Sequence, residues 1–136
     1  MGSRTSAREI SLQVLYQLDV RDDDIEDAVA AHLSASLSKD VKDYAHKLVK
    51  GVCEYKDKID SLIEASSENW SLKRMALVDR NILRLSIFEM LYCEDIPHKV
   101  AIDEAVELGK KFGAKDSGAF INGILDKISK ETAKRN

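Results

Sequence analysis

The chain has 136 residues, among them one proline and six glycines, and 6% of its residues are aromatic. This length fits one domain that can bury a core of its own, and the composition favours a helical bundle over a β-sandwich or barrel. The net charge of −3 excludes a strongly basic nucleic-acid binder, so contact with a nucleic acid would need a small local patch. No membrane span or secretory leader is predicted.

The first helix is predicted over about residues 5–18, where apolar residues recur at helical spacing. Ser6 and Glu9 have the spacing of a capping box at its start. Arg4 and Arg8 fall outside the apolar stripe, so we expect them to face solvent or a ligand. On pattern alone, solvated surface charge explains the two arginines as well as a nucleic-acid contact does.

Two further helices are predicted before the middle of the chain. An acidic linker, residues 21–24, leads into a helix over about residues 24–37, whose positive dipole end suits the acids. From residue 38 the apolar spacing continues to about residue 65, which predicts one long helix with Gly51 as the place for a bend.

Residues 66–72 break the helical pattern and contain the single tryptophan. We therefore predict two small helical bundles packed into one domain, over about residues 4–66 and 70–131. A lone tryptophan at such a joint favours a ring that fills the seam between the bundles. Stacking of Trp70 on a nucleic-acid base is the alternative.

The second half is predicted to contain three helices. The first carries Val78 to Tyr92 and is apolar on more than one side, which is typical of a central helix. Pro97 stops it and sets the entry to a helix over about residues 99–112. Gly113 is placed for a left-handed residue at the end of that helix.

The last helix follows the polar turn GAKDSG. Asp116 or Ser117 is expected to cap it, and the tail after Lys130 is expected to fray. Phe120 follows the turn by two residues, and an aromatic ring and small polar groups at such a place suit base stacking and backbone contacts. A core role for Phe120 explains the same spacing equally well, and both interpretations stay open.

The sequence offers little support for catalysis. It has no glycine-rich phosphate loop, no recognisable nucleophile–histidine pair and no metal-ligand spacing. An exposed helical face explains the acids at 103, 104 and 107. Cys53 and Cys93 stand apart, as buried reduced thiols do. We therefore predict a binding protein without an enzymatic activity, a cofactor or a metal.

Three segments resemble one known family. They are SAREISLQVLYQLD near the start, VDRNILRLSIFEMLYCEDIPHKVAIDEAVELGKKFG in the second half, and DSGAFINGILDKI near the end. Together they resemble the bacterial transcription antitermination protein NusB family, from about Arg4 to Lys130. The resemblance is strong from Leu77 onward and weak between Asp22 and Ser67.

The resemblance implies an all-α fold of two small helical bundles and a non-enzymatic, cytoplasmic role. The family binds the boxA element of ribosomal RNA leader transcripts as a heterodimer with NusE, a protein of the small ribosomal subunit. That complex joins other Nus factors on RNA polymerase and suppresses premature termination. Some members form homodimers.

The resemblance also suggests site residues. The family's arginine-rich first helix falls on Arg4 and Arg8, and its acidic position facing NusE falls on Asp79. Its RNA-contacting final turn falls on Asp116, Ser117 and Phe120, beside Lys115, which the turn itself suggests. This sequence departs from the family at residues 5–6 and 118–119, where members often carry basic residues, so we expect modest RNA affinity without a partner.

Two alternatives remain at this point. The chain could be a protein-docking helical module with marginal RNA contact. It could also be an RNA-binding appendage of an RNA methyltransferase, because similar domains precede a catalytic domain in some of those enzymes.

Overall fold

The computed structural model describes residues 2–68 and 70–134, with side chains described as far as residue 132. The described part contains no strand and consists of seven α-helices with one 3₁₀ turn, Leu72–Arg74. The helices are α1 (Ser3–Val20), α2 (Ile25–His32), α3 (Lys39–Glu54), α4 (Lys56–Ser66), α5 (Leu77–Tyr92), α6 (His98–Phe112) and α7 (Ser117–Lys134). The predicted all-α class is confirmed.

Helix α5 is the central helix, as its sequence predicts. Every residue from 81 to 90 is buried, and α1, α3, α4, α6 and α7 all pack against it. A single apolar cluster contains residues of both halves, from Leu12 in α1 to Ile128 in α7. The break after Ser66 is confirmed, whereas the division into two bundles stays a prediction.

The predicted capping box of α1 is wrong. The helix starts at Ser3, and Ser6 N–H already bonds to the carbonyl of Gly2 at 3.1 Å. Ser6 therefore lies inside the first turn rather than before it.

Helix α2 begins as predicted and ends early. The carboxylate of Asp24 accepts a hydrogen bond from Asp27 N–H at 3.2 Å, which caps the helix. The helix stops at His32, five residues before the predicted end. Ser34 and Ser36 bond to each other there, and such local serine hydrogen bonds compete with helix formation.

The predicted long helix is two helices, broken at Tyr55 rather than bent at Gly51. Tyr55 leaves helical geometry with φ −104° and ψ 17°, and its ring stacks on Tyr92 at a centroid distance of 4.0 Å. Gly51 is required for close packing, because a Cβ there would overlap the Phe88 ring.

The turn between α6 and α7 also differs from its prediction. Gly113 has φ −94°, so it is not left-handed. A Cβ at Gly113 would overlap the side chain of Ser117, whose Oγ accepts a hydrogen bond from Ala114 N–H at 2.8 Å. Close approach therefore explains the glycine. Helix α7 continues to Lys134, beyond the predicted frayed end.

Both cysteines are free thiols, as predicted. Cys93 is buried as predicted, whereas Cys53 is only half-buried, so the predicted burial of Cys53 is wrong. Burial raises the pKa of both thiols, so both favour the protonated form.

Candidate nucleic-acid interface

Arg8 does not face solvent, and that prediction is wrong. Its side chain is 4% exposed, and its Nε donates to both carboxylate oxygens of Glu89, at 2.9 and 3.1 Å. Its Nη1 lies 3.4 Å from Glu104 Oε1. Burial acts to lower the pKa of Arg8, but the hydrogen bond and charge of Glu89 outweigh it and raise that pKa.

The burial of Arg8 could have been predicted from Glu89. Glu89 is 1% exposed within the buried stretch of α5, residues 81–90, and a buried carboxylate requires a charged or hydrogen-bonding partner. Tyr44 in α3 also donates its hydroxyl to Glu89. Arg8, Tyr44 and Glu89 form what we call the buried polar cluster, which joins α1, α3 and α5.

Arg4 remains accessible, about one helical turn before Arg8 in α1. Its side chain is 47% exposed, and its Nη2 bonds to Asp95 Oδ2 at 2.7 Å. The guanidinium also lies over the Tyr44 ring, 4.8 Å from its centroid. The hydrogen bond from Arg4 lowers the pKa of Asp95. Arg4 therefore presents a charge that is partly neutralised.

The turn before α7 supplies the second group of candidates. Lys115 and Asp116 are exposed. Ser117 is 2% exposed, and its hydroxyl already accepts a hydrogen bond from Ala114 N–H. Ser117 thus shapes the turn, while the two residues before it face solution.

Phe120 fits neither interpretation fully. Its ring is partly buried and packs against the main core. It also lines an open cavity of about 330 Å³ together with Trp70, Met75, Ala76 and Asp79. One part of the side chain is anchored, and another remains available to a ligand.

Trp70 lies at this cavity and does not fill a seam. It is 49% exposed, so the predicted interior role is wrong. The 3₁₀ turn that follows it leads the chain directly into α5, which leaves the indole at the surface. The sequence places Trp70 in a break, but it gives no direct indication that the ring lies near Phe120.

Asp79 belongs to the same cavity. It lies in the first turn of α5, and its Oδ1 is buried without a hydrogen-bond partner among the described residues. We call this cavity the aromatic groove; it is lined by Trp70, Arg74, Met75, Ala76, Asp79, Ala114, Asp116, Ser117 and Phe120. The structure thus brings Asp79 together with Asp116, Ser117 and Phe120.

Arg4 is not part of the aromatic groove. It lines a separate cavity of about 360 Å³ with Tyr44 and Lys47. Among residues 2–68 and 70–134, no group of three or more histidine, cysteine or acidic side chains could hold a metal ion. The described helices also include none that is long and apolar enough to cross a membrane.

The fold and the aromatic groove define a small all-helical protein with a surface suited to a macromolecular ligand. The chain belongs to the NusB family, whose model matches residues 5–130.

Relatives of known name support this membership over nearly the whole chain. Transcription antitermination protein NusB of Anaeromyxobacter dehalogenans is 51% identical over 128 residues, which cover 93% of this chain and 89% of that protein. The protein of the same name from Myxococcus xanthus is 48% identical over 134 residues, covering 95% and 96% of the two chains.

Solved structures of the family agree with the fold. NusB of T. maritima matches with a TM-score of 0.90 and 42% identity, covering 94% of this chain and 91% of that one. A structure of antitermination factors NusB and NusE in complex with dsRNA matches with a TM-score of 0.82 and 31% identity, covering 96% and 98%.

Proposed function

We propose that this chain is an RNA-binding transcription antitermination factor that acts in the cytoplasm without enzymatic activity. It binds the boxA element of ribosomal RNA transcripts together with NusE and suppresses premature termination. The observation that carries the proposal is the likeness, over 96% of this chain, to a structure of NusB with NusE and dsRNA. Other Nus factors and RNA polymerase join through the NusE complex.

The aromatic groove and Arg4 supply the proposed RNA contacts. Phe120 stacks a base with its accessible part, and the first turn of α7 offers backbone N–H groups to RNA oxygens. Lys115 and Arg4 contact phosphates. To do so, Arg4 releases the carboxylate of Asp95 and pairs with an RNA phosphate instead. Asp116 and Ser117 shape the turn that carries these groups.

Arg8 takes a different role from Arg4. Because its guanidinium is buried against Glu89, Arg8 is a positioning residue that fixes the first turn of α1, and hence Arg4, against α5. This assignment replaces the direct RNA contact that the family resemblance suggests for Arg8.

NusE docks at Asp79, which lines the aromatic groove, and supplies positive charge. This chain has a net charge of −3, and the exposed Arg4 is paired with Asp95. With about two to four phosphate contacts from this chain, the logarithm of its binding constant falls with the logarithm of salt concentration at a slope of about −1.4 to −2.8.

A titration tests the proposal. Fluorescently labelled boxA RNA and a scrambled RNA are titrated with this chain, with NusE, and with an equimolar mixture, and anisotropy is followed at several salt concentrations. We expect the mixture to bind boxA more tightly than either protein alone and more tightly than it binds the scrambled RNA. Equal binding of the two RNAs by the mixture contradicts the proposal.

A protein-docking module with marginal RNA contact is the second candidate. The pairing of Arg4 with Asp95 and the burial of Arg8 favour it. In that case the chain shifts NusE in a native gel but adds nothing to the affinity of NusE for boxA. Sedimentation of the free chain determines whether it forms a homodimer.

A further inference from the structure

Arg4, a proposed phosphate contact, is already bound to an anion of the chain itself. Its Nη2 donates to Asp95 Oδ2 at 2.7 Å, across 91 positions of sequence. Arg4 lies in the first turn of α1, whereas Asp95 follows the end of α5. A carboxylate and a phosphate offer a guanidinium the same kind of anionic acceptor oxygens, so the two compete for one group.

The connection between α5 and α6 holds the Asp95 carboxylate in place. Ile96 N–H bonds to the carbonyl of Cys93 at 3.0 Å, which closes a turn around Asp95, and both of those residues are buried. Pro97, the N-cap residue of α6, restricts the backbone on the other side. This anchoring fixes where the carboxylate stands relative to α1.

Lys47 supplies a second positive charge at the same place. Its Nζ lies 5.9 Å from the centroid of the Tyr44 ring, over which the Arg4 guanidinium also lies, at 4.8 Å. Both cations line the same cavity of about 360 Å³. The hydrogen bond from Arg4, and less strongly the charges of Arg4 and Lys47, lower the pKa of Asp95. Asp95 therefore stays ionised at neutral pH, within the field of both cations.

Release of Asp95 leaves the fold undisturbed. The side chains of Arg4 and Asp95 are 47% and 59% exposed, so water solvates the released carboxylate, and an exposed pair contributes little to stability. The Tyr44 ring continues to support the Arg4 guanidinium, because the Tyr44 hydroxyl is fixed by Glu89. Arg8, by contrast, cannot release Glu89 without leaving a buried charge unpaired.

We propose that Asp95 is an intramolecular competitor that closes a phosphate-binding site formed by Arg4 and Lys47 over the Tyr44 ring. In the free chain the carboxylate occupies Arg4; a phosphate of bound RNA displaces it and contacts Lys47 as well. Because only chains with Asp95 released bind a phosphate at this site, the competition lowers RNA affinity by about two- to sixfold, the range for an exposed ion pair. This inference rests on the proposed function and adds Lys47 as a phosphate contact and Asp95 as an autoinhibitory residue.

Removal of the competing charge tests the proposal. Asp95→Asn keeps the size of the side chain, and at saturating NusE we expect it to bind boxA RNA about two- to sixfold tighter than the unaltered chain, as measured by anisotropy. Asp103→Asn is the matched control, because it removes a carboxylate that is 63% exposed and paired with Lys99, outside the Arg4 cavity. It should leave the affinity unchanged. Equal gains in the two variants overturn the proposal, because RNA then senses only the net charge.

A double-variant cycle traces the gain to Arg4. In an Arg4→Gln background, Asp95→Asn should lose most of its gain, because the group for which Asp95 competes is absent. Lys47→Gln should weaken RNA binding more in the Asp95→Asn background than in the unaltered chain, where Lys47 also attracts the competing carboxylate. A gain that survives Arg4→Gln in full overturns the proposal.

The outcomes separate this inference from the proposed function. A phosphate contact carries no sequence information, so Asp95→Asn should tighten the binding of scrambled RNA by the same factor. If the unaltered complex prefers boxA and Asp95→Asn binds no tighter, the function stands and the competition is wrong. If the unaltered complex does not distinguish the two RNAs but Asp95→Asn binds both more tightly, the selective function fails and the competition stands. Thermal melting of each variant checks that the fold is intact.

Discussion

The buried polar cluster and the aromatic groove depart from the usual distribution of residues in opposite ways. The cluster places the charges of Arg8 and Glu89 in the interior, whereas the groove leaves the rings of Trp70 and Phe120 accessible. Charge inside is tolerated because each group has a partner there. The accessible aromatic rings of the groove have no comparable partner within the described chain. We therefore assign a role in stability to the buried polar cluster and a role in binding to the aromatic groove.

The largest expected effect is a loss of stability when the cluster loses one charge. Arg8→Met leaves Glu89 buried without its cation, and removing one partner of a buried pair costs about 3–5 kcal/mol. Urea denaturation measures the free energy of unfolding. Arg4→Met, four residues away, removes an exposed pair and is the matched control, with an expected loss of about 0–1 kcal/mol.

A double variant sharpens this test. Replacing both Arg8 and Glu89 by methionine removes the unpaired charge, so the double variant should be more stable than Arg8→Met alone. Equal losses for Arg8→Met and Arg4→Met would show that the cluster does not differ from a surface ion pair.

Phe120→Ala tests the other side of the comparison. We expect boxA affinity to fall by the equivalent of about 1–3 kcal/mol. Because the ring also packs on the core, stability should fall by about 1–2 kcal/mol, less than the 3–5 kcal/mol that a fully buried phenylalanine costs. Anisotropy and urea denaturation give the two values.

A substitution at the adjacent residue, Ile121, provides a control with a similar expected loss of stability. Ile121 is fully buried, and Ile121→Val costs about 0.5–1.5 kcal/mol without changing the accessible surface of the groove. Its RNA affinity should match that of the unaltered chain. If Ile121→Val loses as much RNA affinity as Phe120→Ala, the effect of Phe120 comes from the core and not from a contact with RNA.

The contrast also explains what the sequence could predict. Helix positions with regular apolar spacing, such as those of α5, are set by local pattern and were predicted correctly. Arg8 was misplaced because its burial depends on Glu89, 81 residues away, and a pattern along one helix does not contain that partner. Even so, the presence of Glu89 among apolar residues indicates that a buried cation is required.

The aromatic groove shows the same limit. The turn and Phe120 were identified from local sequence, because the polar run before an aromatic is visible there. Trp70 and Asp79 reach the groove from the lead-in to a different helix, and their meeting with Phe120 depends on how α5 and α7 pack. The break at Tyr55 was missed for a related reason, since stacking on Tyr92 is a tertiary contact.

The pH dependence of stability tests whether the cluster requires a protonated Tyr44. Burial, followed by the hydrogen bond to Glu89, raises the pKa of Tyr44 above its usual 10.0. Above about pH 10 the unfolded chain therefore releases this proton while the folded chain retains it, so stability falls as pH rises, by at most about 1.4 kcal/mol per pH unit. Urea denaturation between pH 8 and 11 measures the slope.

Removing the hydroxyl should remove its share of that slope. Tyr44→Phe leaves Glu89 paired with Arg8 and makes the high-pH decline shallower. Tyr16→Phe, at an exposed position on α1, serves as the control and should keep the decline. An unchanged slope in Tyr44→Phe would mean that the hydroxyl contributes nothing to the pH dependence of the cluster.

The smallest expected effect concerns Arg4, which shares properties with both regions. It touches the cluster through the Tyr44 ring and yet is exposed enough to reach a phosphate. Arg4→Gln should change stability by less than about 1 kcal/mol and reduce the salt slope of boxA binding by about 0.7, the value for one phosphate contact on a single strand. Lys99→Gln removes an exposed cation that lines neither cavity and should leave the slope unchanged. If both variants alter the slope equally, RNA senses only the overall charge of the chain, and the first turn of α1 has no specific part in the interface.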